Sequence, residues 1–248
     1  MFDLTGKIAL VTGSARGLGK GIALALAEQG ADVIVNCARS VDKAEDVAAQ
    51  IRAMGRRSAV YQADVGIESE VLAMFEKIRA DFGRLDILVN NAGTQIRENV
   101  FEMSTANWEF ILRNNLTSAY LCTREALKFM TEQNWGRIIY ISSITALQGS
   151  VYGVLNYGAA KAGMIGLAKS LFRNVAKYNI TVNAVAPGVI ATEQTARVLT
   201  QKDIDELGIP LGLGEMRDIG AACAYLASNE AKYVTGATLD VTGGLVPR

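Results

Sequence analysis

Short apolar runs alternate with longer amphipathic stretches along the whole chain. Residues 7–12 (KIALVT), 32–37 (DVIVNC), 58–63 and 85–90 (LDILVN) are nearly continuous in Val, Ile, Leu and Ala. Such runs predict strands covered on both faces. Between them, 17–29, 41–54 and 67–82 carry helical spacing and stop at Gly30, Gly55 and Gly83. A glycine just past a helix supplies the left-handed conformation that closes it. The second half repeats the theme. Residues 106–133 and 154–178 read as long helices, 137–142 (RIIYIS) and 180–186 (ITVNAVA) as strands, 215–228 as a helix and 238–241 as a short last strand. The region 189–214 has weak periodicity and reads as a looser segment.

Strands that alternate with helices in this way must run parallel, joined by right-handed crossovers. The expected fold is therefore α/β: one Rossmann-type, doubly wound parallel sheet of about seven strands with helices on both faces. No linker, repeat or low-complexity tract divides the 248 residues, so residues 1–248 are expected to form one domain. Half of the residues are apolar, enough for a large core.

Composition removes whole classes of function. The chain has no histidine, which excludes a Ser-His-Asp triad, a Cys-His pair and any His-ligated metal site; no metal is expected. Proton transfer falls to Tyr, Lys, Asp, Glu, Cys or water. Lysine plus arginine equals aspartate plus glutamate, and neither end is markedly basic, so no nucleic-acid or membrane partner is expected. Cys37, Cys122 and Cys223 are far apart and form no CxxC pair, which suits reduced, buried thiols. The chain opens without a signal-like segment, and no apolar stretch reaches the ~18–20 residues of a membrane span. The expected location is the cytoplasm.

Between the first strand and the first helix lies Thr12-Gly13-Ser14-Ala15-Arg16-Gly17-Leu18-Gly19. Glycines at 13, 17 and 19 let the backbone turn tightly and approach a pyrophosphate, and the following helix offers free N–H groups and a positive dipole end. An acid at the tip of the second strand would hold the ribose hydroxyls of NAD. Here that strand ends Asn36-Cys37-Ala38-Arg39. Arg16 and Arg39 are the cations placed to reach a 2′-phosphate, which favours NADP(H), with NAD(H) as the alternative.

Tyr157 and Lys161 stand four apart on a predicted helix and so share one face. A tyrosine ordinarily titrates near ~10. A neighbouring ammonium and a positive nicotinamide ring both favour the phenolate, making a usable general acid/base near neutral pH. Asn90-Asn91-Ala92-Gly93 and Ser142-Ser143 end two adjacent predicted strands, at the carboxyl edge where open α/β sheets place ligands. Asn114-Asn115 lie within the long helix between them.

These residues together resemble the short-chain dehydrogenases/reductases. TGSARGLG at 12–19, DV at 64–65, NNAG at 90–93, NNLTS at 114–118, ISS at 141–143, YGAAK at 157–161 and PGVIAT at 187–192 all occur in order, so the resemblance covers essentially the whole chain. It implies a catalytic tetrad of Asn115, Ser143, Tyr157 and Lys161. Ser143 would polarise the substrate carbonyl and Tyr157 pass the proton. Lys161 would bind the nicotinamide ribose and lower the Tyr157 pKa, while Asn115 would hold a water linking Lys161 to solvent. It further implies cofactor contacts from Gly13, Ser14, Arg16, Gly17, Leu18 and Gly19. Asp64 and Val65 would flank the adenine. Asn91, Ala92 and Gly93 would lie along the cofactor, and Pro187, Gly188, Val189 and Thr192 would meet its nicotinamide end. The serine-to-tyrosine spacing is one residue longer than the family's usual one, which reads as an insertion near 149–154; Ser142 is the other candidate serine. The family's usual assembly, a homotetramer, is expected, as is a substrate lid at about 189–214.

The implied reaction interconverts a ketone and a secondary alcohol by hydride transfer. NAGTQIREN at 91–99, AKYNITVNA at 176–184 and TGGLVPR at 242–248 are similar to members acting on sugars and sugar acids, and Arg97 is placed to meet a carboxylate. The alternative substrate is a 3-oxoacyl group on acyl carrier protein or CoA. Reductases of that kind tend to carry basic residues where this chain has Asn134 and Tyr178. The apolar content of 189–214 argues against a purely polar pocket. A third reading is a cofactor-binding regulator without catalysis, since fold alone does not fix function.

Overall fold

A computed structural model describes residues 1–149 and 153–246. The strands are β1 (Ile8–Val11), β2 (Asp32–Cys37), β3 (Ser58–Gln62), β4 (Ile87–Asn90), β5 (Gly136–Ile141), β6 (Ile180–Pro187) and β7 (Thr238–Val241). They form one sheet in the order β3-β2-β1-β4-β5-β6-β7, and every pair is parallel. The helices that carry the argument below are α1 (Gly17–Glu28), α2 (Val41–Ala53), α3 (Glu68–Phe82), α4 (Thr105–Leu112), α5 (Ser118–Glu132), α6 (Thr145–Gln148), α7 (Leu155–Val175), α8 (Glu193–Val198), α9 (Gln201–Leu207) and α10 (Met216–Ala227). The predicted single α/β sheet with helices on both faces is the observed architecture.

Alternation along each strand builds two cores. Ala9 and Val11 of β1 face a layer that holds Ile22 of α1, Val47 of α2 and Ile219 of α10. Ile8 and Leu10 face the other layer, with Phe75 of α3, Phe129 of α5 and Met164 of α7. Fully burying one such Leu or Ile contributes roughly 1.5–3 kcal/mol, so the middle of the sheet is the rigid part of the molecule. The chain leaves β1 toward β2 and β3, then returns to β4 on the other side of β1. That reversal opens a crevice above the carboxyl ends of β1 and β4, the place where open sheets of this kind bind ligands.

Several elements differ from the sequence reading. The expected helix 106–133 is α4 and α5 joined by one π-helical turn, Arg113–Thr117. The expected helix 154–178 ends at Val175 and finishes in a 3₁₀ turn, Ala176–Tyr178. The short α6 lay unseen after β5, and the loose region 189–214 contains α8 and α9. These two are too short to show a clear period. They are started by local caps: the Thr192 hydroxyl accepts from the N–H of Thr195 at 3.2 Å, and Thr200 with Asp203 forms a reciprocal capping box. The expected insertion near 149–154 falls largely on residues 150–152, and the motif 242–248 ends on residues 247–248; both lie outside the described residues. Among the described residues, no helix is long and apolar enough to cross a membrane.

Candidate active site

The glycine loop and the turn after β4 are locked together. A Cβ on Gly19 would lie 2.4 Å from the Gly13 carbonyl oxygen and 2.5 Å from Asn91 Nδ2, so only glycine fits. The Thr12 hydroxyl accepts from the N–H groups of Asn91 at 3.0 Å and Ala92 at 2.9 Å. Asn91 Nδ2 donates back to the carbonyls of Thr12 at 2.9 Å and Gly13 at 3.2 Å. Beneath the loop, the buried Asn36 of β2 accepts from the Gly13 N–H at 3.1 Å. Its amide donates to the carbonyls of Tyr61 and Ala63, each at 3.1 Å. Thr12 and Asn36 were not picked out from the sequence as site-builders. A polar side chain in the middle of DVIVNC was the available signal.

One residue expected at the cofactor turns its side chain into the fold. Ser14 is fully buried. Its hydroxyl donates to the Val11 carbonyl at 2.7 Å, and its N–H donates to the Asn36 carbonyl at 2.9 Å. With both donors engaged inside the fold, Ser14 supports the loop from below. Arg16, by contrast, is exposed at the start of α1, directly before the free N–H groups of Gly17, Leu18 and Gly19. Arg39 is exposed just past β2. Arg16 shares a cleft of ≈ 610 Å³ with Lys20 of α1, Lys43 of α2 and Thr192 and Glu193 of α8; Arg39 does not line it. At the far side, Asp64 bends back on its own turn, accepting from the Gly66 N–H at 2.9 Å, and Val65 is buried.

The two serines after β5 separate cleanly. The Ser142 hydroxyl donates to the Lys161 backbone carbonyl at 2.8 Å and is buried. The Ser143 hydroxyl accepts from the N–H of Thr145 at 3.2 Å and shares a 3.0 Å hydrogen bond with the Thr145 hydroxyl. It also lies close enough to the Tyr157 phenol to influence its titration. Burial pushes the Tyr157 phenol above its ordinary value of 10.0, and the Ser143 hydroxyl opposes that shift. Lys161 Nζ sits 5.5 Å from the Tyr157 ring centroid. It donates to the Ile141 carbonyl at 2.8 Å, and burial brings its pKa from 10.5 down to about 7.

Asn115 occupies the π turn. Its amide donates to the carbonyls of Ile111 at 2.9 Å and Thr94 at 2.8 Å, tying the turn to the loop after β4. A π turn widens the helix and is frequent at functional sites. Asn115 Oδ1 is buried without a hydrogen-bond partner among the described residues. A Cβ on Gly93 would lie 2.3 Å from that oxygen and 3.5 Å from Lys161 Nζ, so Gly93, Asn115 and Lys161 meet at one point. An unpaired acceptor near a buried ammonium is what a relayed water or a ribose hydroxyl can satisfy.

The remaining expected residues close the groove. Pro187 ends β6, and its carbonyl accepts from the Ile144 N–H at 2.9 Å. The Gly188 N–H donates to the Val241 carbonyl at 2.9 Å, and those of Ala191 and Gly214 bond Gly214 and Val189 across the root of the 189–214 segment. On the opposite wall, the Glu98 N–H donates to the Gly153 carbonyl at 2.8 Å, bringing the loop that carries Arg97 against the approach to Tyr157. Asp203 of α9 is held below its ordinary value by the Thr200 hydroxyl and N–H, with the charges of Lys202 and Arg97 adding to the effect. The charge of Arg97 is therefore felt at α9.

Comparisons with known proteins agree with this geometry. A family model described as short chain dehydrogenase matches residues 7–203. The chain is 44% identical to 3-oxoacyl-[acyl-carrier-protein] reductase FabG of Staphylococcus aureus, over 96% of this chain and 98% of that one. It is also 44% identical to Nodulation protein G of Rhizobium sp., over 99% of both. Among solved structures, a protein of Agrobacterium tumefaciens provisionally assigned as a gluconate dehydrogenase superposes with a TM-score of 0.94 at 33% identity, covering 98% of this chain and 97% of that one. A provisionally assigned short-chain alcohol dehydrogenase of Sinorhizobium meliloti gives 0.91 at 36% identity, covering 98% of both.

Proposed function

The chain belongs to the short-chain dehydrogenase family, and from that premise we propose that it interconverts a ketone and a secondary alcohol on a small polar hydroxy or keto compound such as a sugar or sugar acid, with Tyr157 as general acid/base. The observation that carries this reading is the gathering of Ser143, Tyr157 and Lys161 at the carboxyl edge of the sheet, with the Ser143 hydroxyl near the Tyr157 phenol and the buried Lys161 Nζ 5.5 Å from its ring. The groove fits a nicotinamide dinucleotide. Its glycine cradle has no room for a Cβ at position 19, and Asn115 Oδ1 waits unpaired beside Lys161.

Gly13, Gly17, Leu18 and Gly19 would hold the pyrophosphate, with Arg16 beside them toward the ribose. Asn91, Ala92 and Gly93 would line the middle, and Pro187, Gly188, Val189 and Thr192 the nicotinamide end. When bound, that ring supplies or removes the hydride at the substrate carbon. The Ser143 hydroxyl donates to the carbonyl oxygen. The Tyr157 hydroxyl gives that oxygen its proton in reduction and takes it back in oxidation. When protonated, Lys161 would ease phenolate formation against the burial that raises the Tyr157 pKa, and Asn115 would position the route by which the proton is replaced.

Exposed cations at Arg16 and Arg39, with no acid at the tip of β2, favour NADP(H) over NAD(H). A polar, acidic substrate is supported by Arg97 at the mouth and by the likeness to the gluconate-type structure. A 3-oxoacyl thioester is the second reading, favoured by the 44% identity to the carrier-protein reductase. Asn134 and Tyr178 weigh against it. The 189–214 segment would be the substrate lid and the assembly a homotetramer. The test is nicotinamide absorbance with a panel of keto-sugars, sugar-derived keto acids, simple ketones and 3-oxoacyl thioesters. Faster NADPH loss with the keto acids supports the first reading. Faster turnover of the thioesters replaces it with the second.

A further inference from the structure

The cleft that holds Arg16 is cationic in a way the family motifs do not explain. Arg16 and Lys20 come from the start of α1, and Lys43 comes from the first turn of α2. The buried face of α2 is Ala44, Val47, Ala48 and Ile51, which packs on the sheet. Lys43 and Asp46 fall on the flank of the helix and line the cleft with Arg16 and Gly17. Arg16, Lys20 and Lys43 make no ion pair among the described residues, although Asp46 and Glu193 share the cleft. With three cations against two acids, the cleft keeps an excess of positive charge that a further anion would join. The pyrophosphate is served by the amides at the start of α1, which leaves these side chains for a second phosphate.

We propose that Lys43 forms, with Arg16, the pocket for the cofactor's 2′-phosphate and so sets the preference for NADP(H). The inference rests on the NADP(H) reading given above. It assigns to Lys43 the part that strand-tip position alone would give to Arg39. α2 follows the tip of β2, the strand that borders the adenosine ribose in sheets of this order, and its first turn carries Lys43 into the cleft that holds Arg16. Lys20 lies one turn further along α1 and adds to the field. The 2′-phosphate carries up to two negative charges, and each charge-assisted bond to it contributes about 1.5–3 kcal/mol.

The test is calorimetric titration of the full chain with adenosine 2′,5′-bisphosphate and with 5′-AMP, in wild type, Lys43→Ala, Lys43→Arg and Arg39→Ala. Lys43 is exposed, so its replacement leaves the core intact. Expected is a loss of roughly tenfold or more in bisphosphate affinity for Lys43→Ala, with 5′-AMP affinity held and Lys43→Arg restoring most of the difference. Unchanged bisphosphate affinity in Lys43→Ala, with the loss appearing in Arg39→Ala, overturns the role of Lys43 and leaves the NADP(H) reading standing. Equal affinity of the wild type for both nucleotides overturns the NADP(H) reading and the inference with it.

Discussion

The two ends of the groove are held by different means. At the cofactor end, Thr12, Asn36 and Asn91 spend nearly every polar atom on the backbone of the glycine loop and the turn after β4. At the substrate end, α8 and α9 rest on their own caps and on a few backbone bonds at the root of the segment. The first region is part of the core; the second lies on its surface with exposed side chains such as Leu211. A cofactor common to a whole family can be met by a fixed backbone, because its shape does not change. A substrate that differs between members is met by a segment whose side chains can change without disturbing the sheet.

The sharpest contrast lies within one dipeptide. Ser143→Ala is expected to lower kcat by about 10²–10³-fold, the usual effect of removing a donor to the reacting oxygen, with the melting temperature unchanged. Ser142→Ala removes a buried bond to the Lys161 carbonyl, so it is expected to lower stability by about 1 kcal/mol and keep most of the turnover. Steady-state kinetics and thermal melts of the pair check both halves. The reverse pattern would make Ser142 the reacting serine.

Next in size is Asn36→Ala. It leaves the Gly13 N–H and the carbonyls of Tyr61 and Ala63 without their partner, and is expected to destabilise the chain by about 1–3 kcal/mol. Cofactor affinity should fall with it. A variant with native stability and native cofactor affinity would show that the loop does not depend on this amide.

A smaller effect follows from Lys161. Burial brings its pKa to about 7, against 10.5 in the ordinary state. Between those values the unfolded chain binds more protons than the folded one, so the cofactor-free protein should gain stability as pH rises through this window. Below about pH 7 the penalty of the buried ammonium is present in full. Melts of wild type and Lys161→Met should therefore converge as pH rises from 7, and parallel curves would contradict the buried, charged lysine.

The smallest effect is expected at α9. Thr200→Ala removes the cap of α9, a local loss of about 1 kcal/mol. Its expected signature is a several-fold rise in KM for the ketone, with melting temperature and cofactor affinity unchanged. A fall in melting temperature would place α9 in the cooperative core and weaken the contrast between the two ends.

The strand runs, the glycine stops and the βα order were readable because each is a local signal repeated many times. The site was readable where motifs sit on strand ends, as with Asn91-Ala92-Gly93 and Ser143. It was not readable where the cause is tertiary. The π turn at Asn115 exists because Thr94 and Ile111 both accept from one amide, and no spacing in NNLTS announces that. Ser14 reads as a loop residue facing a ligand, yet the Val11 carbonyl draws its hydroxyl inward. Lys43 sits within an ordinary charged helix, and only its place beside Arg16 gives it meaning.

The central claim is that Tyr157 moves the proton in a groove built to hold a nicotinamide dinucleotide. The most direct measurement pairs cofactor titration with single-turnover hydride transfer in wild type and Tyr157→Phe. The account predicts cofactor affinity within about twofold of wild type and a rate lower by about 10²–10⁴-fold, the usual contribution of a positioned acid/base. Native rates in Tyr157→Phe would contradict it, and so would a wild type that binds the dinucleotide but transfers no hydride to any ketone.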